Sequence, residues 1–342
     1  MSVPEPSTTI SAEPAAMANS LFPSHGFAER SVPPPALPPA AYREAIALDE
    51  PFRPSAAPAP ADRLDDRVRA ALRMLSGDPA VVQLGLHAGS LLDLGATDSA
   101  TTRRLLRALL TVRPPGPLPD DATKVLDAVL GAERHRRPTI AVHQLPTIEQ
   151  ELPRSSFRAV RHTTLWRGDI TTLAADAIVN AANSALLGCF QPLHPCIDNA
   201  IHNAAGPRLR DDCETVMSLQ GAPEPTGTAK ITRGYHLPAR YVLHTVGPIT
   251  DGRPRTGDAA ALASSYRSCL DLAAEVETVR TLAFCAVSTG VFGYPKDEAA
   301  RIALNTVADW LDAYPDRFDR IVFTVFDADD ESAYRRALGT AV

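Results

Sequence analysis

The stretch Leu282-Ala283-Phe284-Cys285-Ala286-Val287-Ser288-Thr289-Gly290-Val291-Phe292-Gly293-Tyr294-Pro295 changes character twice. Its first six residues are continuously apolar, too uniform for a strand with one wet face, and they suit a strand covered by helices on both sides. A loop with two hydroxyls and two glycines follows. Pro295 then falls where N1 of a helix would lie, since its fixed φ and missing N–H suit a helix start. Successive N–H groups ahead of a helix N-terminus form a nest for an anion of diphosphate size. The loop matches neither a Walker loop nor G-x-G-x-x-G, and Gly-rich strand-to-helix turns are common, so alone it speaks for a fold more than for a ligand.

The same alternation continues on both sides. Ala177-Ile178-Val179-Asn180, Tyr241-Val242-Leu243-His244 and Ile321-Val322-Phe323-Thr324-Val325-Phe326 read as further buried strands. Helices are expected over about 196–217, 257–274, 295–311 and 329–338. This pattern predicts a three-layer α/β/α domain, whose ligands sit beyond the carboxyl ends of the strands. Upstream, Leu64, Val68, Leu72 and Leu75 recur at helical spacing, and helices are expected over 99–111 and 120–132, separated by Pro114-Pro115-Gly116. The organisation expected is therefore an arm at 1–61, a small helical module at 62–135, a linker at 136–156 and the α/β domain at 157–342. The arm holds 13 of the chain's 31 prolines. Such a composition buries too little surface to offset its ordering entropy, so the arm is expected to be disordered and dispensable for catalysis.

A chain of 342 residues suits about two domains. Its net charge of −6 supplies no basic field for a polynucleotide backbone, which argues against a nucleic-acid partner. Five cysteines are too few for a disulfide scaffold, and their odd number suits a reducing cytoplasm. With no run of 18 apolar residues and no signal-peptide pattern, a soluble protein without a membrane partner is expected.

Cys189, His194 and Cys196 form a C-x4-H-x-C cluster in a loop before a helix. Thiolate and imidazole are ligands that Zn²⁺ prefers, and three of them leave a fourth position open for water or substrate, whereas a structural site normally supplies four. Two unpaired cysteines and a surface histidine are the alternative. Cys213, Cys269 and Cys285 sit in helix or strand patterns and read as core. Asn180-Ala181-Ala182-Asn183 closes a strand, where the amides can hold a sugar's hydroxyls or simply make a turn. Gly168-Asp169-Ile170 can set a carboxylate near a base amine, and Phe326 can stack on a ring; each alone is equally a structural feature.

Taken together, Trp166-Arg167-Gly168-Asp169-Ile170-Thr171, Ile178-Val179-Asn180-Ala181-Ala182-Asn183, Cys196-Ile197-Asp198-Asn199-Ala200-Ile201-His202-Asn203-Ala204-Ala205-Gly206 and the 288–293 loop resemble the ordered motifs of the macrodomain, an ADP-ribose-binding fold. The likeness covers about 157–342 and implies a mixed central sheet. Where most macrodomains carry a run of glycines, this chain has Leu187-Gly188-Cys189-Phe190-Gln191-Pro192-Leu193-His194-Pro195-Cys196. That is similar to the zinc-dependent branch, whose members hydrolyse protein-linked mono-ADP-ribose and carry a helical segment ahead of the macrodomain.

The resemblance implies roles for named residues. Asp169 and Ile170 would take the adenine end, with Phe326 beside the adenosine. Ser288, Thr289, Gly290, Val291, Phe292, Gly293 and Tyr294 would wrap the diphosphate. Asn183 would hold the distal ribose and, with Asp198, form the catalytic pair; zinc on Cys189, His194 and Cys196 would sit over that ribose. His202, one turn after Asp198, is either an orienting partner or a packed helix histidine. The implied partners are ADP-ribose and an ADP-ribosylated protein substrate, together with a lipoyl-carrier protein and a sirtuin-like ADP-ribosyltransferase. A non-catalytic ADP-ribose reader and an O-acetyl-ADP-ribose deacetylase are the competing functions.

Overall fold

The computed structural model describes residues 37–339; the first 36 residues of the expected arm lie outside them. Among the described residues the strands are β1 (Ile140–Ala141), β2 (Thr163–Arg167), β3 (Leu173–Ala174), β4 (Ala177–Ala181), β5 (Ala229–Arg233), β6 (Tyr241–Thr245), β7 (Thr281–Phe284) and β8 (Arg320–Val325). Six of them form one sheet in the order β2-β8-β7-β4-β6-β5. Every neighbouring pair is parallel except β5 with β6, so the central sheet is mixed, as expected. β1 and β3 make a separate short parallel ladder. The inner strands β4, β6, β7 and β8 are buried over nearly their whole length, which is why their sequences lack alternation. Because β2, β4, β6, β7 and β8 run the same way, their carboxyl ends share one edge.

The helical module consists of α1 (Leu64–Met74), α2 (Pro79–Gln83), α3 (Ala88–Leu92), α4 (Ser99–Val112) and α5 (Asp120–Arg136). Leu64, Val68, Leu72, Leu109, Leu126 and Val129 belong to its own core, distinct from that of the sheet. Each such side chain contributes about 1.5–3 kcal/mol by leaving water. Asp78 and Asp98 cap α2 and α4 by accepting from the N–H groups of Ala80 and Thr101. After α6 (Ile148–Glu151), α7 (Ile197–Ala205) packs on β4 and α8 (Pro207–Gln220) on β5. The helices α9 (Asp258–Ala274), α10 (Lys296–Ala313) and α11 (Ala328–Ala337) pack on one another and complete the flanking layers. No helix among the described residues is long and apolar enough to cross a membrane.

Several boundaries differ from the expected ones. The single helix expected over 196–217 is two, broken at Gly206, whose φ is 92°. A Cβ there would also lie 2.6 Å from Leu130 Cδ1, so both conformation and crowding require glycine. The 136–156 linker is part of the α/β domain: it carries β1 and α6, a Thr147–Gln150 capping box, and core residues Val142 and Ile148. Residues 37–61 of the arm are packed rather than disordered. Tyr42, Ile46 and Leu48 join the main core, and the N–H of Ile231 on edge strand β5 donates to the Tyr42 hydroxyl at 3.1 Å. A few apolar side chains among the prolines suffice to cover an exposed edge. The strands expected from sequence also omit β2 and β5. In β5 the charge of Lys230 hides the pattern, yet its Nζ is buried 2.7 Å from Glu224 Oε2, so the cation is neutralised in the core.

Candidate active site

At one end of the shared edge, the N–H of Gly168 extends the β2–β8 ladder by donating to Val325 O at 2.9 Å. The Trp166 ring folds over this glycine, where a Cβ would come within 2.2 Å of Cζ2. Asp169 follows. Its Oδ1 accepts from Thr171 N at 2.9 Å and Thr171 Oγ1 at 2.6 Å, while Oδ2 accepts from Arg137. Ile170 is buried beside it. The β2–β8 register pairs Arg167 with Val325, which brings Phe326 next to Gly168 and Asp169; its ring is 79% exposed. An acidic acceptor and an uncovered aromatic face thus share one corner.

The loop after β7 is shaped by its own backbone. Tyr294 N donates to Ser288 O at 2.9 Å and Gly293 N to Gly290 O at 3.0 Å. The facing segment uses two more of its carbonyls: Thr250 N and Asp251 N donate to Phe292 O, and Gly252 N to Gly293 O. The N–H groups of Thr289, Gly290, Val291 and Phe292 have no acceptor among the described residues. Four successive free donors of this kind are an arrangement that can receive an anion. Among the described residues the buried Ser288 hydroxyl also lacks a partner, and it faces Gly247, where a Cβ would lie 2.0 Å from it. Tyr294, by contrast, sends its ring into the core, and its Oη donates to Glu298 Oε1 at 3.2 Å, so only its backbone belongs to the nest.

The loop before α7 gathers the soft ligands. Cys189 Sγ lies 3.5 Å from His194 Nδ1, and one ligand atom each from Cys189, His194 and Cys196 falls within 4.8 Å of the others. Cys196 is the N-cap of α7, its sulfur accepting from Asn199 N at 3.4 Å. The hydrogen bond from the Cys196 thiol, against the cost of burial and helped by Gln191 N and His194, pulls the Cys189 thiol down to about 5; the same pairing pushes Cys196 up. Two sulfurs and an imidazole converging at this spacing fit Zn²⁺ with one position left over.

Directly behind this cluster, Asp198 is buried at the first turn of α7. Burial pushes its carboxyl up to about 7, against the hydrogen bond that Asn180 Nδ2 donates to Oδ1 at 2.7 Å. The other hydrogen of Asn180 Nδ2 points to His244 Nδ1 at 3.2 Å, which leaves His244 Nε2 to donate to Thr232 Oγ1 at 2.9 Å. His244 is accordingly neutral, its burial lowering it to about 3. Cys213 and His202 approach the same ring. Their clustering with His244 is met by side-chain hydrogen bonds that occupy both His244 nitrogens, so it reads as a core network. His202 is buried and held neutral by burial and by the charge of Arg210; its Nε2 stands 3.5 Å from Asp198 Oδ1 without a hydrogen bond.

Asn183 donates to Gly188 O at 3.0 Å and accepts from Ala185 N at 3.0 Å, which ties it to the base of the 187–196 loop. Cys213, Cys269 and Cys285 are buried. Sequence reading misses Arg137, which sits in the presumed linker, and Gly247, for which a glycine at a strand end was the available signal. It also misassigns Asn180, whose amide orients Asp198. Asn199 and Arg210 carry no signal, because a polar residue on an amphipathic helix is expected whether or not it reaches a loop.

A mixed α/β sheet thus carries a loop of free backbone amides, an acid–aromatic corner and a thiol–imidazole cluster along one edge. A sequence profile for the Macro domain matches residues 179–303. The Protein-ADP-ribose hydrolase of Treponema medium is 46% identical over 241 residues, 70% of this chain and 89% of that protein. The Protein-ADP-ribose hydrolase of Staphylococcus aureus (strain MRSA252) is 43% identical over 234 residues, 68% of this chain and 83% of that protein. The Trypanosoma brucei macrodomain in complex with ADP-ribose superposes with a TM-score of 0.51 at 38% identity, covering 59% of this chain and 78% of that one. The chain belongs to the macrodomain family, with the protein-ADP-ribose hydrolases among its relatives.

Proposed function

We propose that this chain is a zinc-dependent hydrolase that releases ADP-ribose from mono-ADP-ribosylated protein side chains. The observation that carries the reading is the convergence of Cys189, His194 and Cys196 beside buried Asp198, on the same sheet edge as the 288–294 nest. The names of the relatives support the hydrolytic part, and the donor set supports the metal. In this reading the free amides of the nest bind the diphosphate, while Asp169 and Phe326 receive the adenosine. Asn183 borders the distal ribose. Zinc held by the three side chains supplies Lewis-acid chemistry at the bond to be cut. Asp198, with Oδ1 held by Asn180, presents Oδ2 to orient water and take its proton. The reducing compartment suggested by five free cysteines is compatible with a thiolate metal site.

Adenine and diphosphate contacts act alike in ground and transition states, whereas the metal acts where charge changes. Removing zinc is therefore expected to leave ADP-ribose affinity within about tenfold, about 1.4 kcal/mol. Single-turnover hydrolysis of a mono-ADP-ribosylated protein should fall by about a hundredfold or more. Both are measured on one preparation before chelation, after it, and after zinc is restored, with a Cys189→Ala, Cys196→Ala double variant alongside. Zinc retained by that variant, or full-speed hydrolysis after chelation, refutes the metal's role. Affinity collapsing in step with rate shows instead a metal that only organises the pocket, and binding without any hydrolysis indicates a reader.

A further inference from the structure

We propose that the helical module holds the metal-ligand loop in place, with Thr111 and Arg210 as positioning residues that transmit its grip. The consequence for turnover rests on the hydrolase reading above; the grip itself rests on geometry.

Besides Gly188 O, which Asn183 holds, three carbonyls of the 187–196 segment are held by side chains of α7 and α8. Leu187 O accepts from Arg210 Nε at 2.7 Å, and Asn199 Nδ2 lies 3.0 Å from His194 O and 3.4 Å from Gln191 O. Both holding side chains are themselves anchored on the carboxyl end of α4. Arg210 Nη1 donates to Leu110 O at 3.0 Å and to Arg113 O. Leu110 belongs to the last turn of α4, where carbonyls have no partner within the helix, so a buried cation satisfies them and favours the negative helix end. The same guanidinium stacks on the Phe190 ring, 4.6 Å from its centroid, inside the metal loop. Asn199 Oδ1 faces Thr111 Oγ1 at 3.1 Å and accepts from Asn203 Nδ2 at 2.6 Å. The Thr111 hydroxyl has one proton to divide between Asn199 Oδ1 and Arg107 O, the latter at 2.8 Å, and it accepts from Asn203 Nδ2 at 3.1 Å.

Arg210 and Thr111 are buried, 5% and 2% exposed, so neither bond is traded for water. Asn199 N also donates to the sulfur of Cys196, which makes Asn199 a direct link from the module to a metal ligand. The loop needs such support because its backbone is unusual. Leu186, Gly188 and Leu193 all have positive φ, at 58°, 87° and 59°. For the two leucines this conformation persists only where contacts impose it.

The test uses the full chain carrying Thr111→Val, Thr111→Ser or Arg210→Lys, read by amide hydrogen exchange over 187–196 in chelated protein. Losing one buried hydrogen bond is expected to speed exchange in that loop by up to about tenfold in Thr111→Val and Arg210→Lys. Thr111→Ser, which keeps the hydroxyl, should stay near the wild type. On zinc-loaded protein the first two variants should release metal to a competing chelator faster and lose kcat, with ADP-ribose Kd within about twofold. Unchanged loop exchange overturns the proposal, even where melting temperature falls, because a merely structural contact would lower stability without loosening this loop. Should Arg210→Lys fail to fold, the Thr111 pair decides. If the wild type binds no zinc and hydrolyses nothing, the hydrolase reading fails while the exchange result still judges this one.

Discussion

The 288–294 loop and the 187–196 loop stand at the same sheet edge, yet different forces hold them. The first is built from backbone bonds, both within itself and to residues 250–252, and its donors are main-chain amides. The second relies on side chains delivered from α7 and α8, which are in turn set by α4 of the helical module. A backbone-built nest tolerates side-chain change but not a change of φ. A loop hung on distant side chains tolerates local substitution and depends instead on the joint between two cores. The two loops are thereby exposed to different kinds of damage.

Gly293→Ala should give the largest separation of the two loops. Its φ is 67°, and a Cβ there would lie 3.0 Å from Gly252 N and 3.1 Å from Asp251 Cα. A non-glycine residue in this conformation costs about 1–2 kcal/mol before crowding is counted. ADP-ribose affinity by calorimetry is expected to fall by tenfold or more, about 1.4 kcal/mol, with zinc content unchanged. Loss of metal in this variant would break the distinction between the loops.

Acid should act first on the other side of the comparison. Burial opposes the charge of Asp127 on α5, but hydrogen bonds from His236, Arg208 and Ser55 N outweigh it and hold the carboxyl at about 2. A depressed carboxylate contributes stability that is complete above its unfolded value near 4 and is lost as pH falls from there toward about 2. The contribution is about 2 kcal/mol. This group joins the module to α8 and to the segment after β5, beside a partly open pocket of about 250 Å³ lined by Leu126, Leu130, Arg208 and His236. Asp127→Asn should flatten that part of the acid unfolding profile, and equal acid sensitivity in both proteins would show that the joint does not depend on this charge.

The smallest effect is expected at Asp169. Thr171 and Arg137 already use both of its oxygens, so Asp169→Asn keeps most of the loop's acceptors while weakening the ion pair and any bond to a base amine. A loss of about 1 kcal/mol in ADP-ribose binding is expected by calorimetry. No change would make Asp169 a loop cap only. A far larger loss would mean that the adenine corner, and not the nest, dominates binding.

Local chemistry made some of this legible in one dimension. The strand, glycine loop and proline of 282–295 announce a buried strand and a helix start, and Cys189, His194 and Cys196 announce soft ligands, because the atoms that matter lie within a few residues of each other. The Pro-rich composition at 37–61 misleads, since three side chains, Tyr42, Ile46 and Leu48, find places in a core that composition cannot describe. Lys230 misleads in the same way, its buried partner Glu224 being supplied by the loop between α8 and β5.

An alternating α/β domain behind a helical module, a glycine loop after β7 and a thiol–imidazole cluster ahead of α7 are legible from residue type at short range. The packing of the cores, in contrast, sets Asn180 against Asp198, Phe326 level with Gly168, and Arg210 and Asn199 between α4 and the 187–196 loop. The reason is physical: a side-chain hydrogen bond across the fold depends on the relative placement of elements set by the packing of whole cores, and no spacing along the chain encodes that placement.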